Sequence, residues 1–468
     1  MILMQFPLAL LCLRTANACM VSCLLMCLTG CADPPQEPQQ VQQPEPAVLE
    51  FHQIVKQGTP DGIRQQLQSG VDINAPGHVG ETALMVALEA KDLEKTRLLL
   101  EQGADPELAD DFNNTALRRA VQEEFVEGVR LLLARGVDRG YHPKYPLKVI
   151  RYTQEPIDFS QLKMPKELEG QMTREEWQQS LKETLGPEAE ESSEQEIEPY
   201  LYPVIEDVYN LEILDLFLAA GDNLSQTSKE MKRHLLKLDD SAEFRATPAD
   251  YQQWKVPRFG ATNPQRMNNP FWDDMIRSGK NAYLAREHFQ DNKDFNKPGA
   301  VWCFDRFGSS LTKLPDGRYV QVGGEHEDYY DPDFYIYNDV VVHDGQGNFE
   351  IYGYPKMVFP PTDFHSATLV KDEIYLIGCL GYTEQRVTGQ TPVYRLKTDT
   401  WQIEKLETTG TNPGWIFRHR ANYDPQRNVI RVEGGTQQLA TPAEESDQVE
   451  NPDVYELDLT TLKWQKQD

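Results

Sequence analysis

Six residues able to hold a cation or move a proton fall within nine positions: Glu325, His326, Glu327, Asp328, Asp331 and Asp333, in the stretch GGEHEDYYDPDFYIYND (Gly323–Asp339). Carboxylate oxygens with one imidazole suit a hard cation such as calcium or manganese, whereas structural zinc sites favour cysteine and histidine. Glu325, His326 and Asp328 are the candidate metal ligands. Their spacing matches neither an EF-hand nor a zinc motif. Two readings stand: a divalent-cation site, or the solvated connection of a repeated fold. No other cofactor is called for.

The elements that position this stretch recur. LPDGRYVQVGG (Leu314–Gly324), VKDEIYLIGC (Val370–Cys379) and DPQRNVIRVEGG (Asp424–Gly435) each read as a turn, a strand of alternating apolar residues and a glycine pair, with cysteine replacing the second glycine at Cys379. DFHSATLV (Asp363–Val370) and FRHRANYD (Phe417–Asp424) precede two of them and place His365 and His419 in register; Gly308 stands where the first unit would carry its histidine. NDVVVHD (Asn338–Asp344), PVYRLKTDTW (Pro392–Trp401) and DVYELDLTTLKW (Asp453–Trp464) follow.

This pattern resembles kelch repeats over about Val301–Trp464, with a period near 50 residues. The resemblance implies four-stranded blades of a β-propeller, three of them recognisable, fewer than the four to eight that close one. The stretch at Gly323 then joins the second and third strands of a blade, and the glycines admit close approach of backbones. In kelch enzymes such as galactose oxidase, substrates sit at the axial mouth. That makes Asp363, His365, Arg418, His419 and Arg420 candidate ligand-binding residues. The competing role for the two histidines is a fixed structural hydrogen bond. No catalytic residue is assigned, and whether the chain is an enzyme stays open.

A second period, of 33 residues, relates Gly70, Gly103 and Gly136, and likewise Asp72, Asp105 and Asp138. GETALMVAL (Gly80–Leu88) and NTALRRAV (Asn114–Val121), each followed by a leucine run and glycine, resemble ankyrin repeats. Threonine caps the first helix of each unit, and glycine ends the second through a left-handed turn. Phe51–Asn74 reads as a degenerate first repeat and Tyr202–Asn223 as a later one. Between them Glu188–Glu198 (EAEESSEQEIE) reads as a solvated loop, with a cation or basic-partner site as the alternative. Ankyrin stacks are chiefly recognition surfaces, so the resemblance implies an unidentified protein partner.

Leu28, Thr29, Gly30 and Cys31 end an apolar run that follows Arg14, and resemble the lipobox of bacterial lipoprotein signals. The resemblance implies lipidation of Cys31, with palmitate among the acyl groups, and attachment to a membrane. Ala32 after the cysteine points to the outer membrane, facing the periplasm. ADPPQEPQQVQQPEPA (Ala32–Ala47) reads as an extended tether. The formal charge of −28 leaves no basic stripe for phosphates, so nucleic acid is excluded as a partner. Cys303 and Cys379, outside the signal, read as one disulfide or two buried thiols.

The expected architecture is multidomain α + β. It comprises a signal peptide with lipobox (1–31), a tether (32–48), an α-helical ankyrin solenoid (49–225) with an acidic insertion around 141–200, a helical connector (226–300), and an all-β kelch-type domain (301–468). The expected function is protein recognition by a membrane-anchored lipoprotein; the alternative is a carbohydrate-directed enzyme or sugar binder at the propeller mouth.

Overall fold

The computed structural model describes residues 44–141, 143–148, 150–154, 173–185, 193–197, 202–238, 242–291, 299–326, 334–440 and 447–467. The chain divides after Tyr202 into two compact units. Cys31 and Asp328 lie outside the described residues. Among the described residues no helix is long and apolar enough to cross a membrane.

The first unit stacks three helix pairs: α1 (Pro46–Gln57) with α2 (Pro60–Gln68), α3 (Ala83–Glu89) with α4 (Leu93–Glu101), and α5 (Ala116–Gln122) with α6 (Val126–Leu133). Threonine opens one helix of each pair: the Thr59, Thr82 and Thr115 hydroxyls accept from Gly62 N, Met85 N and Arg118 N. Each caps an amide that the first turn leaves unsatisfied. Gly70, Gly103 and Gly136, at φ of 94°, 95° and 70°, turn the chain out of the second helices. Phe51, Val55, Ile63, Leu84, Leu88, Leu99, Leu117, Val129 and Leu132 are buried between the pairs. The first helix begins at Pro46, so the last residues of the expected tether are helical. Proline suits a first helical turn, where its missing N–H costs nothing.

Two expectations change, one for the insertion and one for the segment after it. Ser193–Ile197, within the supposed loop, pairs antiparallel with Ile150–Gln154. The ladder supplies backbone hydrogen bonds whatever the side-chain charge, which acidic composition does not reveal. The segment expected to be a fourth repeat, 202–223, falls almost wholly in the second unit. Its helix Leu211–Ala219 is capped by Asn210 and its apolar residues join a different core.

Among the described residues the second unit holds five sheets: two small ones, 325–326 with 335–336 and 415–417 with 436–438 and 448–450, and three larger ones, each built on four antiparallel strands. Sheet one runs 310–313, 319–322, 340–343 and 349–353, extended by 265–266. Sheet two runs 366–370, 373–377, 393–397 and 403–405. Sheet three runs 420–424, 429–433, 454–458 and 463–467, with 409–410 parallel at its outer edge. The first strands of successive sheets are neighbours. Val320, Val340, Ile374, Leu396 and Trp401 pack sheet one on sheet two. Ile377, Val393, Ile430, Leu457 and Trp464 pack sheet two on sheet three.

The two ends of this array differ. On sheet three, the strand positions alternating with Ile430 and Val432 carry Arg431 and Glu433, paired with Arg420 and Asn422. Arg420–Glu433 (3.2 Å) and Arg431–Glu433 (3.2 Å) make ion pairs there. A face of this kind is built for water, so the apolar packing of sheet on sheet stops here. Sheet one is instead covered by the connector: Met267 N donates to Ile351 O (2.8 Å), Arg277 lies over the Phe349 ring, and Leu311 N donates to Ser225 Oγ (3.0 Å). A Cβ at Gly221 would lie 3.9 Å from Asn422 Oδ1 on sheet three. The short segment 221–225 therefore reaches from the first strand of sheet three to that of sheet one.

The connector also protects a sheet edge. The Asn263 side chain accepts from Ile403 N (2.9 Å) and donates to Ile403 O (2.7 Å), closing groups that an edge strand would leave open. Within the expected helical connector, residues 270–288 form two helices: Pro270–Ser278, capped by Asn269, and Ala282–His288, capped by Asn281. Gly279, at φ 61°, separates them. The aromatics of this region form core: Trp272 stacks on Trp302 (4.7 Å) and Tyr251 on Phe289 (4.4 Å).

Candidate functional site

Loops projecting between the helix pairs of the first unit are built to a common plan. Asp110 is fully buried, and its Oδ1 accepts from Phe112 N (2.9 Å) and Asn114 N (2.8 Å), folding the loop around itself. Arg119 neutralises it from 2.9 Å. Neighbouring loops are bonded together: Asp111 N donates to Val79 O (2.9 Å), Asn113 Nδ2 to Lys148 O (3.0 Å), and Lys148 N to Asn113 Oδ1 (2.8 Å). Gly80 is required for the first contact, because a Cβ there would sit 2.6 Å from Asp111 Oδ1 at φ 77°. Repeat-to-repeat bonds recur at the same interval, Asp105 N to Asn74 Oδ1 (2.9 Å) and Asp138 N to Glu107 Oε1 (3.0 Å).

This framework presents Val79, Phe112 and Tyr145, each 33 residues from the next, at the tips of three adjoining loops. They are 44%, 63% and 38% exposed. Single exposed apolar residues are ordinary; here they recur at one structural position of three hydrogen-bonded loops. The 33-residue period seen in the glycines contains these positions too; only their exposure was hidden from the sequence.

In the second unit, His365 Nε2 bonds Ser310 Oγ (2.8 Å) and His419 Nε2 bonds Ser366 Oγ (2.8 Å). Each histidine stands just before one sheet's first strand and reaches the serine that opens the preceding sheet's first strand. Burial lowers their pKa to about 4 and about 3, so both are neutral imidazoles at pH 7. One residue earlier, Gly308, Phe364 and Arg418 form a matching ladder: Phe364 N donates to Gly308 O (2.8 Å) and Arg418 N to Phe364 O (2.8 Å). All three have positive φ. Gly308 is thus the counterpart of Phe364 and Arg418, and Ser309 occupies the histidine position, a shift of one residue from the sequence alignment.

The glycine pairs serve the same junctions. Gly324 N donates to Thr362 O (2.8 Å) and Cys379 N to Ile416 O (3.0 Å). A Cβ at Gly323 or Gly378 would meet those carbonyl oxygens at 2.2 Å, so any side chain there must displace the backbone.

The other candidate residues are likewise engaged within the chain. Asp363 is fully buried and its Oδ1 accepts from Gly381 N (2.6 Å). Burial raises its carboxyl above the usual range, and it faces the carboxyl of Glu325. The Arg418 guanidinium stacks over Phe364 at 4.6 Å, and Arg420 lies on the outer face of sheet three. Glu325 and His326 are successive residues of one short strand and point apart. His326 Nε2 lies 3.5 Å from Cys303 Sγ, while Glu325 faces Asp363. Among the described residues, no group of three His, Cys, Asp or Glu side chains is placed to hold a metal ion. Cys303 and Cys379 are free, buried thiols.

Sequence reasoning missed the best-connected charged group of this unit. Arg306 forms a buried ion pair with Asp339, its guanidinium lies 3.4 Å from the Tyr337 ring centroid, and Trp302 Nε1 donates to Asp339 Oδ2 (2.9 Å). No local spacing connects residues 33 apart on different loops.

No curated protein matches this chain. The loop geometry, the threonine caps and the 33-residue spacing agree with the family model for ankyrin repeats, which matches residues 51–140 as three copies: this part of the chain consists of ankyrin repeats.

Proposed function

We propose that this protein is a membrane-tethered recognition module that binds a partner protein along the row Val79, Phe112 and Tyr145. The observation that carries this reading is the recurrence of an exposed apolar side chain at one position of three hydrogen-bonded loops. Ankyrin repeats support protein binding in general. The rigid row adds apolar contact area with little ordering cost on association. Replacing all three residues by aspartate is expected to abolish capture of the partner from an envelope extract, with folding intact. Undiminished capture would overturn the proposal.

The strand-rich half is read as three kelch-type blades, supported by the in-register recurrence of the serine–histidine bonds, the glycine pairs and the four-stranded meanders. A carbohydrate-directed site at the mouth of these blades has less support, since His365 and His419 bond serines and Asp363 a backbone amide. The tether is read as lipid-anchored through Cys31 at the outer membrane, facing the periplasm, on the strength of the LTGC segment. Cys31→Ser should leave the protein in the soluble fraction after cell lysis, and retention of that variant on membranes would refute the anchor.

A further inference from the structure

A half-open cleft of about 430 Å³ lies between the helices 211–219 and 229–236 and the hairpin turns of sheet one. Its size is within the usual range for small-molecule sites, roughly 300–1,000 Å³. One wall is leucine. Leu211, Leu214 and Leu218 follow one another along a single stripe of their helix, while Ile213 and Phe217 of the same helix are fully buried. Leu224 and Leu235 complete the wall, and Leu211 remains 46% exposed. The helix thus carries more apolar surface than its own core covers.

The polar lining is divided: Asp215, His234 and Lys237 stand on the helix side, and Lys313, Asp316 and Asp344 on the side of the sheet-one hairpins. Two of the three acids are used inside their own turns. Asp316 Oδ1 accepts from Arg318 N (3.1 Å) and Oδ2 from Arg318 Nε (2.8 Å). Asp344 Oδ1 accepts from Gln346 N (2.7 Å) and Asn348 N (3.0 Å), and its Oδ2 from Asn348 Nδ2 (2.7 Å). Neither lysine makes an ion pair or side-chain hydrogen bond among the described residues; Lys313 lies only over the Tyr319 ring, at 5.9 Å. In a chain with 74 acidic and 46 basic residues, two lysines left without carboxylate partners beside five leucines form a distinct charge pattern. Asp215 and Asp344 oppose them with full charges, since Asp344 accepts from neutral amides, whereas Asp316 is paired with Arg318.

We infer that this cleft binds an amphiphilic carboxylate, its unbranched chain against the leucine wall and its carboxylate between Lys237 and Lys313. The two unpaired ammonium groups supply the contact that tells the acid from the alcohol, and apolar burial supplies the affinity. The site is separate from the ankyrin surface, and its success or failure leaves that reading untouched.

The experiment is calorimetric titration of the full chain with sodium decanoate and, separately, with decanol. Saturable binding of decanoate is expected, at least about tenfold tighter than decanol, with affinity rising roughly threefold to fourfold for each added methylene of the acid. The Lys237→Glu/Lys313→Glu variant changes two exposed side chains, so its fold should hold, as a thermal midpoint near that of the parent would verify. It should bind decanoate at least about tenfold more weakly and decanol as before. Absence of saturable binding, equal affinity for acid and alcohol, or decanoate affinity indifferent to the lysine reversal would each overturn the assignment.

Discussion

Between pH 6.5 and 4.5 the strand-rich unit should lose on the order of 5 kcal/mol of stability through His365 and His419 alone. In the unfolded chain an imidazole takes up its proton near pH 6.5. In the folded unit, burial holds the two groups at about 4 and about 3. Their native-state values are depressed, so the stability they contribute is whole above pH 6.5 and drains away as pH falls toward those values. Within that window each histidine costs about 1.4 kcal/mol per pH unit. Urea unfolding at a series of pH values measures the slope. Because other groups titrate in the same range, the informative comparison is with a His365→Gln/His419→Gln variant. That variant should be less stable at pH 7 but markedly flatter toward pH 5. Parallel slopes for the two proteins would show that these histidines are not held neutral between the sheets.

Arg306→Ala should destabilise the same unit by about 3–5 kcal/mol, the usual consequence of leaving a buried charge without its counter-ion. The Arg306 and Asp339 side chains are 1% and 6% exposed. The guanidinium also donates from Nε to Cys303 O (2.7 Å) and from Nη1 to Gly323 O (3.1 Å), and thereby holds the glycine pair of sheet one against the segment before it. Its removal leaves Asp339 with the Trp302 N–H as its remaining side-chain partner from this group. Arg306→Met with Asp339→Asn removes both charges and should recover part of the loss, since the largest cost lies in the orphaned carboxylate rather than in the missing pair. A loss below about 1 kcal/mol for Arg306→Ala in equilibrium unfolding would contradict this account.

The parts of the fold that recur at a fixed interval were legible, because repetition reports geometry directly. Gly70, Gly103 and Gly136 marked the left-handed helix ends, and Thr82 and Thr115 the caps. Gly323 and Gly378 marked the junctions between sheets, but the repeat alignment placed Gly308 one residue out. What did not recur stayed hidden. Helix Leu211–Ala219 looks like another repeat, yet its leucines serve the second unit, and nothing local distinguishes the two cores. The connector reads as helical, but where its helices break was hidden: Gly279, at φ 61°, ends one before Asn281 starts another. The cluster around His326 attracted attention by composition, whereas Glu325 and His326 diverge because neighbours on a strand face opposite sides. Arg306 and Asp339 drew none, since their meeting depends on two loops brought together by the sheets.

The row of loop-tip residues lies between these cases. Val79, Phe112 and Tyr145 share the visible period, but chemically they differ, and only exposure unites them. Their positions are stiffened by Asp110 and by the bonds from Asn113 to Lys148, so a partner meets a surface already formed.

Hydrogen exchange of the full chain, free and bound to its captured partner, tests the recognition claim most directly. Added protection at residues 78–82, 111–115 and 143–148, with little change on the outer face of sheet three, is the predicted result. Protection confined to the strand-rich unit, with those loops exchanging as in the free protein, would contradict it.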